Sequence, residues 1–530
     1  MTRYQENESI LFHNTEETVF LVDIPHSIAE AQFLSPGQFS PQASVSELGE
    51  SHTSSKPKPK IKRLTSTLPL ENPYPSSTEP KTEAARARIL SRVSLGERRY
   101  HDEFIQPLVA AALNELQTAY KPSDPDSHWC LPRAVRDEQM QQPRTESTPD
   151  AVTSTTDKKR KIEHLQHGSA TEGSDGNELI SEIPCSSDVP PTILSSSSCN
   201  TFFLLTDLSG GVVKNPSSEQ SVLSIGTTGN GSEDDRPGCS MYMIPPQSVF
   251  SLCTLPLSDT EGMSPPIPGF PYTKRFNLIV FDPPWPNRSV KRSKKYQTHS
   301  YNEMELLSSW IQNVLTVHSH NPLFDSQPSN TTKSSSPEAH DTQVPSHQSF
   351  AAIWITNSEK ARRAAYQALS QNGFDIHEEW IWVKVTAKGE PVCPVNGVWR
   401  KPYEILVIGR AIQSHAEVTI CPLGSGLIST DEVVLENNNI DLLGLDPGTV
   451  SRRVIAAVPD LHSRKPNLKT IFERFLFSSS NDTCVSESSC ESYTALEVFA
   501  RNLTAEWWAC GNEVLKFNAS DCWTELDEDK

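Results

Sequence analysis

Strongly apolar runs alternate with helical patterns from Arg275 onward, and this alternation limits the folds open to the chain. FNLIVF (276–281) and FAAIWIT (350–356) are nearly continuous apolar runs, as expected of strands that are covered on both faces. Between them lies a helical pattern, SYNEMELLSSWIQNVLTV (300–317). Because alternating strands and helices indicate parallel strand pairing, we predict an α/β domain around a mostly parallel sheet.

Composition limits how much of the 530-residue chain can fold. Hydrophobic residues make up only 36% of the chain, and 41 residues are proline. Polar, Ser- and Pro-rich segments bury too little apolar surface to offset their ordering entropy. The predicted segments are disorder over 1–82, short helices over 83–120, a mostly disordered linker over 121–238, the α/β domain over 239–520 with insertions near 325–349 and 423–447, and an acidic tail over 521–530.

The cysteines and the apolar runs indicate a soluble intracellular protein. The 11 cysteines are scattered and form no CxxC pair, which favours reduced thiols over disulfides or a zinc site. No apolar run reaches the ~18 residues of a membrane span, and the first residues do not resemble a secretion signal. KPKPKIKR (56–63) and KKRK (158–161) are either nuclear-import signals or solvated charge. We therefore predict the nucleus, with the cytoplasm as an alternative.

The turn that follows FNLIVF has an unusual chemistry, and its residues are Asp282, Pro283, Pro284 and Trp285. In open α/β sheets, ligands bind beyond the carboxyl ends of the strands. Proline has no backbone N–H, so the turn offers carbonyl acceptors without competing donors. A carboxylate beside these carbonyls suits a ligand with an amino group, and the indole offers a face for stacking. A plain proline-rich turn is the alternative reading of Asp-Pro-Pro alone.

The exocyclic amine of adenine fits this set of groups. The amine is a poor nucleophile because its lone pair is delocalised into the ring. Acceptors aimed at its two hydrogens would favour tetrahedral nitrogen and stabilise the charge that develops there. They would also accept the leaving proton, and no metal is needed. The base must be unstacked to reach such a pocket.

A basic segment, NRSVKRSKKY (287–296), follows directly. Beside a nucleobase pocket, phosphate contact is its expected use, and a solvated loop is the alternative. The predicted substrate contacts are Arg288, Lys291, Arg292, Lys294 and Lys295.

DPPW resembles the catalytic motif of the MT-A70 family of N(6)-adenine methyltransferases. RKPYE, LHSRKP, LEVFARNL and WACGNEVLKF follow in the order typical of the branch called methyltransferase-like protein 4, over roughly residues 240–520. Because the catalytic motif precedes the cofactor motif, the resemblance implies a circularly permuted, Rossmann-like class I methyltransferase fold.

The resemblance also implies a cofactor, S-adenosylmethionine, and residues that hold it. Lys465 would pair with the methionine carboxylate, and Arg501 would lie near the ribose. Asn512 and Glu513 would reach the ribose or adenine, whereas Glu497 is a weaker match. The family has an aspartate at the cofactor's adenine, for which the candidates are Asp259 and the more distant Asp207. Cys510 stands where the branch usually has tryptophan.

The substrate implied by the resemblance is an internal 2′-O-methyladenosine of spliceosomal small nuclear RNA, and DNA adenine is the alternative. Tyr403, next to Glu404, either lines the base pocket or packs in the core. A non-catalytic RNA-binding scaffold is a further alternative, which an altered DPPW would favour. We expect a monomer, with a partner subunit left open.

Overall fold

A computed structural model describes residues 9–34, 62–75, 79–120, 128–135, 190–226, 239–256, 265–286, 304–320, 348–412, 447–461, 464–478 and 493–525. Its strands are β1 (Ile10–His13), β2 (Val19–Val22), β3 (Lys62–Leu64), β4 (Thr192–Ile193), β5 (Asn200–Phe202), β6 (Val213–Lys214), β7 (Ser221–Gly226), β8 (Cys239–Ile244), β9 (Val249–Leu252), β10 (Leu278–Phe281), β11 (Phe350–Ile355), β12 (Phe374–Lys384), β13 (Tyr403–Ala411), β14 (Ser451–Ala457), β15 (Ala495–Val498), β16 (Trp508–Gly511) and β17 (Trp523–Glu525).

The α-helices of the described ranges are α1 (Ile24–Glu30), α2 (Glu83–Leu90), α3 (Leu95–Arg99), α4 (Gln106–Ala119), α5 (Met304–His318), α6 (Glu359–Gln371) and α7 (Lys469–Leu476). A π-helical turn, Tyr100–Ile105, joins α3 to α4. Among these helices, none has the length and apolarity that crossing a bilayer requires.

Twelve strands form one sheet, in the order β1-β2-β14-β12-β13-β11-β10-β15-β16-β9-β6-β4. β10 lies near its middle and pairs in parallel with β11 on one side and with β15 on the other. Most of the other pairs are parallel too, and β13 runs antiparallel to both of its neighbours. The predicted α/β class with a mostly parallel sheet is confirmed.

The sheet is covered on both faces, and β10 shows why its sequence is so apolar. Ile279 and Phe281 pack into the cluster that contains the buried residues of α4, α5 and α6. Leu278 and Val280, which point the other way, pack into the cluster of α1 and α7. All four residues of the strand are buried. A strand that is buried on both faces is apolar throughout, without alternating polar residues.

The structure corrects the predicted disorder in the first half of the chain. Residues 9–34 form β1, β2 and α1, and β2 pairs in parallel with β14 at the sheet edge. β3 pairs with β17, and residues 190–226 contain four further strands. VFLV is too short to signal a strand alone, and its partner comes more than 400 residues later. The predicted insertions lie almost entirely outside the described residues.

We predict that Phe20→Ala, a change in β2, lowers the free energy of unfolding by about 3–5 kcal/mol. Phe20 is 0% exposed and packs on Phe475, so the change leaves a cavity in the core. Chemical denaturation of the full chain measures the effect. Phe33→Ala is the matched control, because Phe33 is 62% exposed and its loss should change little. Equal effects of the two variants would contradict the assignment of β2 to the core.

Candidate active site

The neighbouring strands β10 and β15 form the switch point of the sheet. After β10 the chain continues to β11 on one side, and after β15 it continues to β16 on the other. Loops that leave two parallel strands in opposite directions open a crevice, in which ligands of α/β sheets bind. Asp282 follows β10, and Phe499 to Arg501 follow β15. The predicted catalytic carboxylate therefore stands where the topology places a ligand site.

The turn after β15 has a backbone that few sequences tolerate. Phe499 has φ +61°, a conformation that is rare for a residue with a bulky side chain. Gly511, at the end of β16, has φ +145°, and a Cβ there would lie 3.3 Å from the Cα of Phe499. The Ala500 N–H donates to the Cys510 carbonyl at 3.1 Å, which holds the two strand ends together. Such strained turns cluster at functional sites.

Two cations hold the carboxylate of Asp282. Lys465 Nζ donates to Oδ1 at 3.0 Å, and Arg501 Nη2 donates to Oδ2 at 3.2 Å. The backbone N–H of Asp282 donates to the Val498 carbonyl at 3.2 Å and continues the pairing of β10 with β15. The side chain stays 19% exposed, so it is fixed in direction yet accessible.

Lys465 belongs to a longer chain of alternating charges. It also pairs with Glu404 at 3.0 Å, and Glu404 accepts from Lys384 at 2.5 Å. Burial alone would raise the pKa of Glu404, but the two lysines outweigh it and lower the pKa to about 2. Burial likewise opposes the charge on Lys465, yet Asp282 and Glu404 raise its pKa above the usual value. Both groups therefore stay ionised at neutral pH.

Glu497 has the opposite electrostatics. It lies on β15, and burial together with the nearby charge of Asp282 raises its pKa to about 8, although Arg501 opposes the shift. In the described part of the chain its carboxyl group makes no hydrogen bond or ion pair. Glu497 is therefore mainly protonated at pH 7, whereas Asp282 is the carboxylate that is paired with two cations.

A cleft of about 570 Å³ of empty space, open solvent included, lies beside these groups. The lining residues combine carboxyl groups, cations, side-chain amides and aromatic rings, and they are Val280, Asp282, Trp354, Arg464, Lys465, Pro466, Asn467, Leu468, Phe472, Glu497, Phe499, Arg501, Asn502, Trp507 and Phe517. S-adenosylmethionine has a carboxylate, an ammonium group, a diol and a flat base, and this set of donors and acceptors fits it.

The structure brings together Asp282, Lys465 and Arg501, as well as Glu497. Sequence reasoning missed Asn467 and Asn502, which line the cleft one or two residues from Lys465 and Arg501. It also missed Lys384, which reaches the site through Glu404. Their only sequence signal is their nearness to the motif residues or to a strand end.

The prolines and the tryptophan of the turn occupy different surroundings. Pro283 is buried, Pro284 is half-buried, and the Pro283 carbonyl accepts the backbone N–H of Trp285 at 2.8 Å. The indole of Trp285 is 4% exposed and belongs to the core, where its Nε1 donates to the Trp354 carbonyl at 2.6 Å. It thereby anchors the turn to the end of β11. A stacking role for Trp285 stays a prediction.

Other predicted residues lie away from the cleft lining. The Tyr403 hydroxyl pairs with His101 Nδ1 at 3.0 Å in a buried position, which favours the packing alternative. Asn512 and Glu513 follow β16, and Glu513 pairs with Lys516 at 2.8 Å. Asp207 is exposed and accepts the Leu204 N–H within its own turn. The positions outside the described residues are Asp259, Arg288, Lys291, Arg292, Lys294 and Lys295.

We predict that Glu497→Gln changes how stability depends on pH. Between about pH 4.5 and 8 the unfolded Glu497 is ionised while the folded one is protonated, so its contribution to stability falls as pH rises. Glutamine does not titrate, so the variant should gain stability relative to the parent from pH 5 to pH 8. Denaturation at several pH values measures this.

Glu404→Gln provides the comparison of opposite sign. The folded pKa of Glu404, about 2, lies below the unfolded value of 4.5. Its contribution is present above pH 4.5 and lost as pH falls towards 2. This variant should be less stable than the parent at pH 7, and the difference should shrink in acid. Parallel pH curves for the parent and Glu497→Gln would contradict the assigned protonation.

Known proteins resemble this chain. The family model MT-A70 matches residues 340–513. The N6-methyladenosine RNA methyltransferase MTA1 of Cryphonectria parasitica is 32% identical over 256 residues, covering 47% of this chain and 55% of the relative. MTA1 of Pyricularia oryzae is 26% identical over 525 residues, covering 97% and 96%. The human N(6)-adenine-specific methyltransferase METTL4 is 30% identical over 282 residues, covering 53% and 44%.

The chain thus spans about half the length of the Cryphonectria and human proteins and nearly all of the Pyricularia protein. The family match begins after the Asp282 turn and ends within the segment that follows β16. It includes the motifs around Glu404, Lys465 and Arg501. Residues 340–513 thus form a region that matches the MT-A70 family model, and the chain is similar to proteins that are named as N6-adenine methyltransferases.

Proposed function

We propose that this chain transfers a methyl group from S-adenosylmethionine to N(6) of adenine in nucleic acid. The observation that carries the proposal is the position of Asp282. Its carboxylate faces the cleft at the switch point and is held in direction by Lys465 and Arg501. Glu497 is mainly protonated at neutral pH. Asp282 is thus the carboxylate best suited to accept the hydrogens of an amine.

The cleft residues divide between the parts of the cofactor. Lys465 offers positive charge to its carboxylate, Arg501 is proposed to lie near the ribose, and Asn467 and Asn502 offer amide donors and acceptors. Asn512, with Glu513, follows the strand next to β15 and is proposed for the ribose or adenine. When bound, S-adenosylmethionine supplies an electrophilic methyl group on a positively charged sulfur.

The acceptors of the turn retain capacity for the adenine amine. Each oxygen of Asp282 receives one hydrogen bond from a cation and has a further lone pair. The Pro283 carbonyl receives one hydrogen bond, from Trp285, and has a second lone pair as well. These acceptors would orient the amine hydrogens and stabilise the positive charge that develops on nitrogen. Asp282 then accepts the proton that the nitrogen loses.

The finer proposal concerns the nucleic acid. We propose RNA, at an adenosine with a 2′-O-methyl group in small nuclear RNA, and the nucleus as the place of action. The names of the two fungal relatives support RNA, and the resemblance to the methyltransferase-like protein 4 branch supports the 2′-O-methyl group. DNA adenine is the alternative substrate.

Synthetic oligonucleotides test the substrate directly. RNA and DNA strands of one sequence, each RNA with and without 2′-O-methyl on its single adenosine, are incubated with the purified chain and the cofactor. Mass spectrometry then locates any added methyl group. We expect transfer to N(6), fastest on the 2′-O-methylated RNA. Transfer to DNA alone would refute the RNA proposal, and binding of RNA without any transfer would favour the scaffold alternative.

We predict that Asp282→Asn lowers kcat by at least about 100- to 1,000-fold and leaves cofactor affinity nearly unchanged. The amide keeps the size of the side chain but offers only one acceptor oxygen and no negative charge. Methyl-transfer rates and calorimetric titration of the cofactor measure the two quantities. Asp375→Asn is the matched control, because Asp375 is exposed at the start of β12. Full activity of Asp282→Asn would overturn the mechanism.

A further inference from the structure

The loop between β12 and β13, residues 385–402, begins at the carboxyl end of β12. It lies on the same side of the sheet as Asp282, which follows the carboxyl end of β10. β12 runs in the same direction as β10, because both β11 and β12 are antiparallel to β13 and β11 is parallel to β10. Glu404 connects the end of this loop to the site through its ion pair with Lys465. Trp399 stands five residues before Glu404, so their Cα atoms are at most about 18 Å apart.

Trp399 is conspicuous for its exposure. Its side chain is 64% exposed, whereas Trp285, Trp310 and Trp354 are each exposed by 5% or less. Tryptophan is usually well buried, since its ring is large and apolar. In the described part of the chain, the indole N–H has no hydrogen-bond partner. Among the residues that the structure describes, neither packing nor hydrogen bonding therefore explains this side chain.

The backbone beneath Trp399 is firmly held. The N–H groups of Val398 and Trp399 donate to the two carboxylate oxygens of Glu79 at 3.0 and 3.2 Å. Arg86 donates to the Asn396 carbonyl at 3.1 Å. The exposed ring is thus presented by a fixed loop, which lowers the entropic cost of binding a ligand to it.

The surroundings of the ring are polar and cationic. Arg400 follows it, is exposed, and makes no side-chain ion pair with any residue that the structure describes. The carboxylate of Glu79 is occupied by two backbone N–H groups. A second exposed aromatic ring, Tyr74, is joined to the loop by its N–H, which donates to the Val392 carbonyl. Aromatic faces beside cations are typical of contacts to single-stranded nucleic acid.

We propose that Trp399 stacks on an unpaired base near the target adenosine and that Arg400 contacts a neighbouring phosphate. The proposal rests on the proposed function and adds a path for the strand, from the cleft across the loop that precedes β13. The limit of about 18 Å applies to the distance from Trp399 to Glu404, and Glu404 is linked to Asp282 through Lys465. We therefore expect the stacked base to lie a few nucleotides from the target, at roughly 3.4 Å per stacked nucleotide.

Variants of Trp399 in the full chain test this path. For Trp399→Ala we expect a rise in KM and Kd for a single-stranded oligonucleotide of about 5- to 150-fold, the usual effect of losing one stacked base. The kcat and the cofactor affinity should stay near those of the parent. Trp399→Phe should restore most of the affinity. Tyr272→Ala is the control, because Tyr272 is 42% exposed and precedes the amino end of β10, on the side of the sheet opposite to Asp282.

A fluorescent base locates the contact and does not require catalysis. 2-Aminopurine is placed at each of the five positions on either side of the adenosine, and its emission is measured on binding. One or two positions should respond with the parent chain and lose that response with Trp399→Ala. If Trp399→Ala has the Kd and the fluorescence response of the parent, the proposal is overturned. A change in oligomeric state of Trp399→Ala with unchanged affinity for the oligonucleotide would also overturn it and would assign the ring to a protein interface. Absence of methyl transfer by the parent would refute only the proposed function, since these binding readouts are independent of it.

Discussion

The parallel pairing of β10 with β15 is the constraint on which the site depends. The two strands are more than 200 residues apart in sequence, and Asn277 fixes their register. Its side-chain oxygen accepts the Thr494 N–H at 3.0 Å, and its own N–H donates to the Thr494 carbonyl at 2.8 Å. A slip of one residue would turn Glu497 to the opposite face of the sheet. The register thus decides which side chains meet Asp282.

The charged side chains around Asp282 are paired with charges of opposite sign. Lys384, Glu404, Lys465, Asp282 and Arg501 alternate in sign, so each partly buried charge has a partner of opposite sign. Removing one member would leave another without compensation, which is costly in such an environment. Glu497 is a second carboxyl group beside Asp282, and a negative charge there would be repelled by Asp282. Burial and this repulsion raise the pKa of Glu497, so Glu497 retains its proton at neutral pH. One site therefore holds a carboxylate paired with two cations beside a carboxyl group whose pKa is raised.

Local patterns predicted the parts of the fold that depend on local physics. The buried strands β10 and β11, the helix α5 and the acidic turn at Asp282 could all be recognised, since apolar runs and proline act over a few residues. The N-terminal strand β2 could not, because its burial depends on β14. The burial of Trp285 was not predicted either. Its indole N–H donates to the carbonyl of Trp354, and this contact forms only when β11 packs beside β10. The resemblance identified the motif residues, whereas the ion pairs of Glu404 with Lys384 and Lys465 are visible only in the three-dimensional structure.

The central claim is that the Asp282 carboxylate accepts a hydrogen of the adenine amine. A crystal structure of the chain with a bisubstrate analogue, in which adenosine N(6) is linked to the cofactor skeleton, measures this contact directly. The account predicts an Asp282 oxygen within about 2.6–3.2 Å of N(6), with Lys465 and Arg501 still beside the carboxylate. An adenine bound in the cleft with its N(6) beyond hydrogen-bond distance of Asp282 would contradict the account.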